Sequence, residues 1–455
     1  MENLVYNAKN AWSEESADKI MDFSVGYKEF LNTSVTERKC FQNIEKMAID
    51  AGFVCADSVS SIKPGDKIYF TNKKKNLILA VIGEKPLTEG TNIIISHIDT
   101  PRLDLKPIPL YEDGDMAFFK THYYGGIKKY QWTAIPLGLS GVVSTKNGDV
   151  EINIGDDEIC LCVTDLLPHL AVEQMKKTMM EGIEGEKLNL LIGSIPTDCE
   201  NGKFKQTVLN ILNEKYGICE EDFISAELEA YPLLKSRDIG LDKSMVGGFG
   251  QDDRICSYTS LKAIFDLDKT PEKTALCVLV DKEETGSSGN TGIKSMFFEN
   301  TIAELINMQC DNYSDLMTRR CLSSSSCLSA DVAAAYDPSF DFAYERKNSC
   351  YLGKGLAIIK YTGSRGKGGT SDASAEFVGK IRRIFNNNNV IWQTGELGKV
   401  DGGGGGTVAQ YLANLNIEVV DCGVALLSMH APYEVSSKAD IYYAYKGYKA
   451  FYEEA

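Results

Sequence analysis

The chain has 455 residues, 43% of them hydrophobic and 25% charged, and a formal net charge of −16. That length exceeds what a single hydrophobic core sustains, so more than one structural unit is expected. No apolar run approaches the roughly 20 residues a bilayer-spanning helix needs. No basic run or basic amphipathic stretch offsets the acidity, which argues against nucleic acid or an anionic membrane as partner.

The opening Met1-Glu2-Asn3-Leu4-Val5-Tyr6 lacks the basic and apolar regions of a secretory signal, so a cytoplasmic protein is expected. The 13 cysteines, odd in number and mostly isolated within apolar runs, read as reduced, buried small hydrophobes. Cys160-Leu161-Cys162 has no second pair at a matching spacing for zinc.

In chain order, two helices are predicted first, over residues 14–31 and 37–50, the second with Thr36 as N-cap and Gly52 just past its end. Ile68-Tyr69-Phe70 and the apolar run 77–82 flank the basic turn Lys73-Lys74-Lys75-Asn76 and predict a hairpin. Ile93-Ile94-Ile95 has the all-apolar character of a strand covered on both faces. From about 105 to 240 the texture changes to short alternating strands, at 150–154 and 188–192, and a helix over 206–216, which predicts an inserted, β-rich domain. Strand, loop and helix then resume, with buried strands at 276–280 and 417–420. The fold class is therefore α/β, with residues 1–104 and 241–455 forming one domain and 105–240 inserted into it. The glycine run 402–406 suggests close backbone approach to a substrate, or to a helix N-terminus.

The chemistry gathers after these strands, where α/β sheets collect ligands. His97-Ile98-Asp99 follows the 93–95 strand and places an imidazole and a carboxylate on one side of an extended segment. Asp252-Asp253-Arg254 reads either as an exposed helix N-terminus or as a carboxylate bridging two metal ions. Asp281-Lys282-Glu283-Glu284 leaves the buried 276–280 strand, and its two glutamates can divide labour, one ligating metal and one acting as general base on a metal-activated water. Asp331 is a lone acid in an apolar setting, and His430, one of only four histidines, lies just beyond an apolar strand. Together the set supplies nitrogen and oxygen ligands for two ions about 3.5–4 Å apart.

The words His97-Ile98-Asp99-Thr100-Pro101-Arg102-Leu103-Asp104, Asp252-Asp253-Arg254, Asp281-Lys282-Glu283-Glu284-Thr285-Gly286-Ser287, Ser329-Ala330-Asp331 and Met429-His430-Ala431-Pro432-Tyr433-Glu434, in this order, resemble the aspartyl aminopeptidase / aminopeptidase I family of zinc metallopeptidases. The resemblance spans nearly the whole chain. It implies a zinc aminopeptidase-like mixed central sheet flanked by helices, an inserted dimerisation domain, and a cytoplasmic enzyme that removes N-terminal residues from short peptides. It further implies two divalent ions, zinc foremost with cobalt or manganese as alternatives. Asp252 would bridge them, His97 and Asp331 would complete one shell, and Glu284 and His430 the other. Glu283 would be the base and Asp99 the acid behind His97. The family assembles into large homo-oligomers, tetrahedral dodecamers among them.

Two departures concern the substrate. Eukaryotic members carry a His a few residues after a Tyr-Gly-Gly word and another three residues after the Ser-Ala-Asp aspartate, and neither is found after Tyr124-Gly125-Gly126 or Asp331. His122 lies close by as a substitute, though it reads more readily as a surface-loop histidine. Lys360 corresponds to a basic residue of the family's substrate pocket, and reads equally as a strand-end lysine facing solvent. With both histidines missing, Leu and Met are expected to be accepted alongside or ahead of Asp and Glu. A di-metal deacylase or carboxypeptidase on the same scaffold, or an inactive assembly protein, are the competing readings.

Overall fold

The computed structural model describes residues 4–155, 158–363 and 365–455. They form two compact units. The first comprises the chain up to Asp99, Ser236–Met429 and Glu434–Ala455; the second comprises Thr100–Lys235 and His430–Tyr433. The long segment of the second unit thus starts and ends five residues before the limits of 105 and 240 read from the sequence. The reason is local. The strand Arg102–Asp113 begins immediately after the His97 word and pairs within the second unit's sheet.

The first unit is built on a nine-stranded mixed sheet, in spatial order Val54–Cys55, Lys67–Asn72, Asn76–Val81, Thr274–Val280, Thr91–His97, Ser326–Ser329, Glu418–Gly423, Leu356–Ile359 and Trp392–Thr394. The four strands from Thr274–Val280 to Glu418–Gly423 run parallel. Each is buried along most of its length, as strands covered by helices on both faces are. Side-chain alternation sorts them. Ile94, Cys277, Leu279 and Leu328 join the core beneath the helices Ala17–Thr33, Glu37–Asp50, Gln251–Phe265, Ala375–Asn387 and Lys438–Glu454, whereas Ile93, Ile95, Leu276 and Val278 join the core beneath Phe297–Gln309, Asp315–Ser323 and Ala409–Ala413. A smaller five-stranded sheet completes the unit.

Local signals account for most of the elements. Thr36 caps the helix Glu37–Asp50 by accepting a hydrogen bond from the Lys39 N–H at 3.2 Å. The predicted hairpin forms between Lys67–Asn72 and Asn76–Val81, with Lys73 and Lys74 turning at φ 51° and 56°. The first helix starts at Ala17 rather than residue 14, because Ser16 is still extended at ψ 127°. Within the glycine run, a Cβ at Gly403 would stand 2.0 Å from the Leu397 carbonyl oxygen, so the close approach made there is to the chain itself. Seven of the cysteines are buried as expected; the three exposed ones, Cys160, Cys199 and Cys219, lie in the second unit.

The second unit is a six-stranded antiparallel sheet, in order Gly148–Ile154, Leu137–Thr145, Ala226–Pro232, Arg102–Asp113, Met116–Tyr124 and Leu190–Gly193, with the helix Lys203–Tyr216. Among the described residues no helix is long and apolar enough to cross a membrane.

Ile94, fully buried between two parallel neighbours, tests this core. Ile94→Ala is expected to lower unfolding stability by about 2–5 kcal/mol, read as a lower urea midpoint. An unchanged midpoint would contradict the packing described.

Candidate metal centre

Parallel pairing sets His97 level with Val280 and Ile95 level with Ser329, so the chain segments that leave these strands emerge along one sheet edge. His97 ends its strand, and Asp281, Glu283 and Glu284 follow the neighbouring strand directly. The third contribution comes from the first turn of the helix Gln251–Phe265. There Asp252 and Asp253 adopt non-helical backbone angles, are joined by a cis peptide bond, and are 3% and 0% exposed. These acids are no solvent-facing N-terminal cap.

His97 is the hub. Its Nε2 lies 3.2 Å from Asp252 Oδ1 and 3.9 Å from Asp331 Oδ1. On its other side Nδ1 lies 3.0 Å from the main-chain carbonyl of Asp99 and 3.3 Å from that residue's Oδ1. The fully buried Asp99 also accepts the Glu283 N–H on Oδ1 and the Glu284 N–H on Oδ2, both at 3.2 Å. Asp252 is held in turn by Glu434, 1% exposed, whose Oε2 accepts the Asp252 N–H at 3.2 Å.

Electrostatics mark the cluster. Burial alone would push His97 down, but hydrogen bonds to Asp252 and Asp99 and the nearby charge of Asp331 hold its imidazolium well above the ordinary range. Burial raises Asp331, with Glu283 and Asp252 adding to the rise against the pull of His97. Burial likewise raises Asp253, with Asp331 adding to it. Carboxylates crowded this way in a dry site need a compensating cation.

The donor atoms suit one. One atom each of His97, Asp252 and Glu284 lie within 4.8 Å of one another, as do one each of His97, Asp253 and Asp331. Asp253 Oδ1 is buried with no hydrogen-bond partner among the described residues. Imidazole nitrogen and carboxylate oxygen are the donors that zinc accepts. One grouping sets Glu284 beside His97 and Asp252, and the other includes Asp253, which carries no local signal of a ligand.

The other candidates are not among these groupings. His430 belongs to the second unit, where its Nδ1 is 2.9 Å from the Gly126 carbonyl. His122 is exposed on the strand Met116–Tyr124, and its Nδ1 donates to the Tyr123 carbonyl at 2.8 Å. Lys360 is exposed and pairs with Asp372 at 2.5 Å. Its strand, Leu356–Ile359, runs antiparallel to Glu418–Gly423, with Ile359 level with Asp421 and Ala357 with Gly423. Lys360 therefore follows the end pointing away from the edge that carries His97 and Asp331. Glu434, though part of a recognised word, carried no sequence signal of its own role beyond its place four residues after His430.

Comparison with known proteins identifies the family. The family model described as aminopeptidase I zinc metalloprotease (M18) matches residues 30–452. A probable M18 family aminopeptidase 1 of Clostridium acetobutylicum is 50% identical over 99% of this chain and 99% of its own. The crystal structure of an M18 family aminopeptidase from Thermotoga maritima superposes with a TM-score of 0.96 at 42% identity, covering 99% of this chain and 100% of that one. That of aminopeptidase I from Borrelia burgdorferi does so at 0.84 and 40%, covering 98% and 100%. With a metal-ready cluster at the sheet edge and a family match across nearly its whole length, the chain belongs to the aminopeptidase I (M18) family of zinc metalloproteases and is an aminopeptidase, a hydrolase acting on peptides.

Proposed function

We propose that the enzyme uses two divalent ions, zinc foremost, held by His97, Asp252, Glu284, Asp331 and His430, with Asp252 shared between them. The observation that carries this reading is the junction at Asp99, which ties His97 to the Glu283-Glu284 turn through three polar contacts of 3.2–3.3 Å. Held by these residues, the ions would supply Lewis-acid chemistry, polarising the scissile carbonyl and making water more acidic.

The chain's own groups supply the rest. Glu283 opens the turn Glu283–Thr285 and is partly exposed, so it is accessible to water and substrate. As general base it takes a proton from the attacking water while the new C–O bond forms, and it returns that proton to the leaving amine as the C–N bond breaks. Asp99 acts as the positioning acid. Its carboxylate is already occupied by the Glu283 and Glu284 N–H groups, so it orients rather than transfers protons.

Assembly through the second unit is part of the same reading. Leu166, Leu170, Met175, Met179 and Met180 are 52–77% exposed within 15 residues, more apolar surface than an isolated soluble chain ordinarily shows. The fold is shared, at 19% identity, with an S. cerevisiae mApe1 solved as a dodecamer. A homo-oligomer beyond a dimer, open only to short peptides, is the assembly proposed, with further copies covering these side chains.

Chelation is expected to abolish hydrolysis of aminoacyl substrates, with zinc, cobalt or manganese restoring it to differing extents. Glu283→Gln should lower kcat by roughly 10²–10⁴ with metal content near normal, while Asp252→Asn should lose metal as well as rate. Turnover by demonstrably metal-free protein contradicts the account.

Protons and metal compete at His97, whose imidazolium is favoured by its hydrogen bonds to Asp252 and Asp99 and by the nearby charge of Asp331. A protonated imidazole cannot ligate, so zinc binding must release at least one proton, and affinity should rise by up to about tenfold per pH unit below the pKa of that imidazole. Calorimetry in buffers of different ionisation enthalpy measures the release; none at neutral pH contradicts it.

Light scattering should find a particle larger than a dimer, and a fully active monomer would refute the assembly. Relative kcat/KM should show Leu and Met accepted alongside or ahead of Asp and Glu. An acidic preference of a hundredfold or more, about 2.7 kcal/mol, would overturn that specificity.

A further inference from the structure

His430 occupies a left-handed backbone conformation, φ 64°, which turns it out of the path of the preceding strand Ala425–Leu427. Its Nδ1 lies 2.9 Å from the main-chain carbonyl oxygen of Gly126. A carbonyl only accepts, so Nδ1 carries the hydrogen, and in the neutral ring the lone pair is then on Nε2. His97 shows the same arrangement, with Nδ1 on the Asp99 carbonyl and Nε2 facing Asp252 and Asp331.

Glycine at 126 leaves room for the contact. A Cβ there would stand 3.2 Å from His430 Nδ1 and 3.6 Å from Cε1, close enough that the ring would have to shift against the carbonyl by a few tenths of an ångström. The turn that presents this carbonyl is anchored one residue earlier, where Gly125 adopts φ 74° after Tyr124, the buried end of the strand Met116–Tyr124. Arg102, paired in register with Tyr124, lays its guanidinium 3.9 Å from that ring's centroid. The guanidinium is itself fixed, with Nε donating to Asp104 Oδ1 at 2.8 Å and lying 3.3 Å from Oε2 of the buried Glu229. A planar cation hydrogen-bonded to one carboxylate, close to a second and set against an aromatic ring is restrained.

We propose that Gly126 and Arg102 are positioning residues for His430: the Gly126 carbonyl selects the tautomer whose lone pair is on Nε2, the atom that would ligate a metal ion, and Arg102, by clamping Tyr124, holds the turn that presents that carbonyl. The inference rests on the reading of His430 as a metal ligand and adds how the ligand is prepared. Groups of this kind are worth about 10–100-fold in metal affinity.

The test uses the full-length protein labelled with ¹⁵N-histidine. Four histidines make the spectrum assignable, with His430→Gln identifying its signal. In the metal-free protein at alkaline pH, long-range ¹H–¹⁵N correlations are expected to show His430 as the Nδ1–H tautomer. Gly126→Ala should mix the tautomers and weaken zinc binding, measured by competition with a chromogenic chelator, by about 10–100-fold. Arg102→Lys keeps the charge but loses the flat face, and should weaken it by about tenfold, giving a second reading if Gly126→Ala folds poorly. An Nε2–H tautomer in the wild type overturns the proposal. So does wild-type zinc affinity in both variants when His430→Gln has lost affinity. Wild-type affinity in His430→Gln instead overturns the ligand reading itself.

Discussion

A single buried carboxylate, that of Asp99, holds the catalytic region in register. It accepts the N–H groups of Glu283 and Glu284 and stands against His97 Nδ1, so two loops leaving neighbouring parallel strands meet on one side chain. Removing a carboxylate from water is costly unless its lone pairs are satisfied, and here charge-assisted hydrogen bonds from two consecutive amides offset that cost. The constraint explains why two adjacent glutamates have fixed, different surroundings rather than forming an interchangeable surface turn. It also leaves Asp99 with little capacity for proton transfer.

The second constraint is charge. Asp252, Asp253, Asp331 and Glu284 converge on one imidazole, and burial raises Asp253 and Asp331 while the surrounding carboxylates raise His97. Protons fill the role that a dication takes on binding, which links metal affinity to pH. A second layer of groups supports the donors. Glu434 holds the Asp252 amide, and main-chain carbonyls hold Nδ1 of both His97 and His430.

Much of this was legible in the sequence, for reasons that differ by residue. The helix Glu37–Asp50 was read to the residue because its cap and its terminating glycine are local signals. The all-apolar 93–95 run betrayed a strand covered on both faces, and with it the place where ligands collect. The order of the five words carried the family. What local signals could not carry is burial. Two adjacent acids before a helix look the same whether they cap it in solvent or are folded inward, and only the packing distinguishes Asp253 from a surface residue. The direction of a strand is equally invisible locally, and the antiparallel run of Leu356–Ile359 takes Lys360 away from the edge that carries His97. Gly126 is ordinary in sequence because its function lies in a contact with a residue 304 positions away.

The central claim is that these side chains hold two ions with Asp252 between them. Anomalous scattering from crystals of the zinc-loaded enzyme, collected on both sides of the zinc absorption edge, addresses it without reference to activity. The account predicts two zinc peaks about 3.5–4 Å apart, each within bonding distance of an Asp252 carboxylate oxygen. A single fully occupied zinc peak, or two peaks with Asp252 touching only one of them, would contradict it.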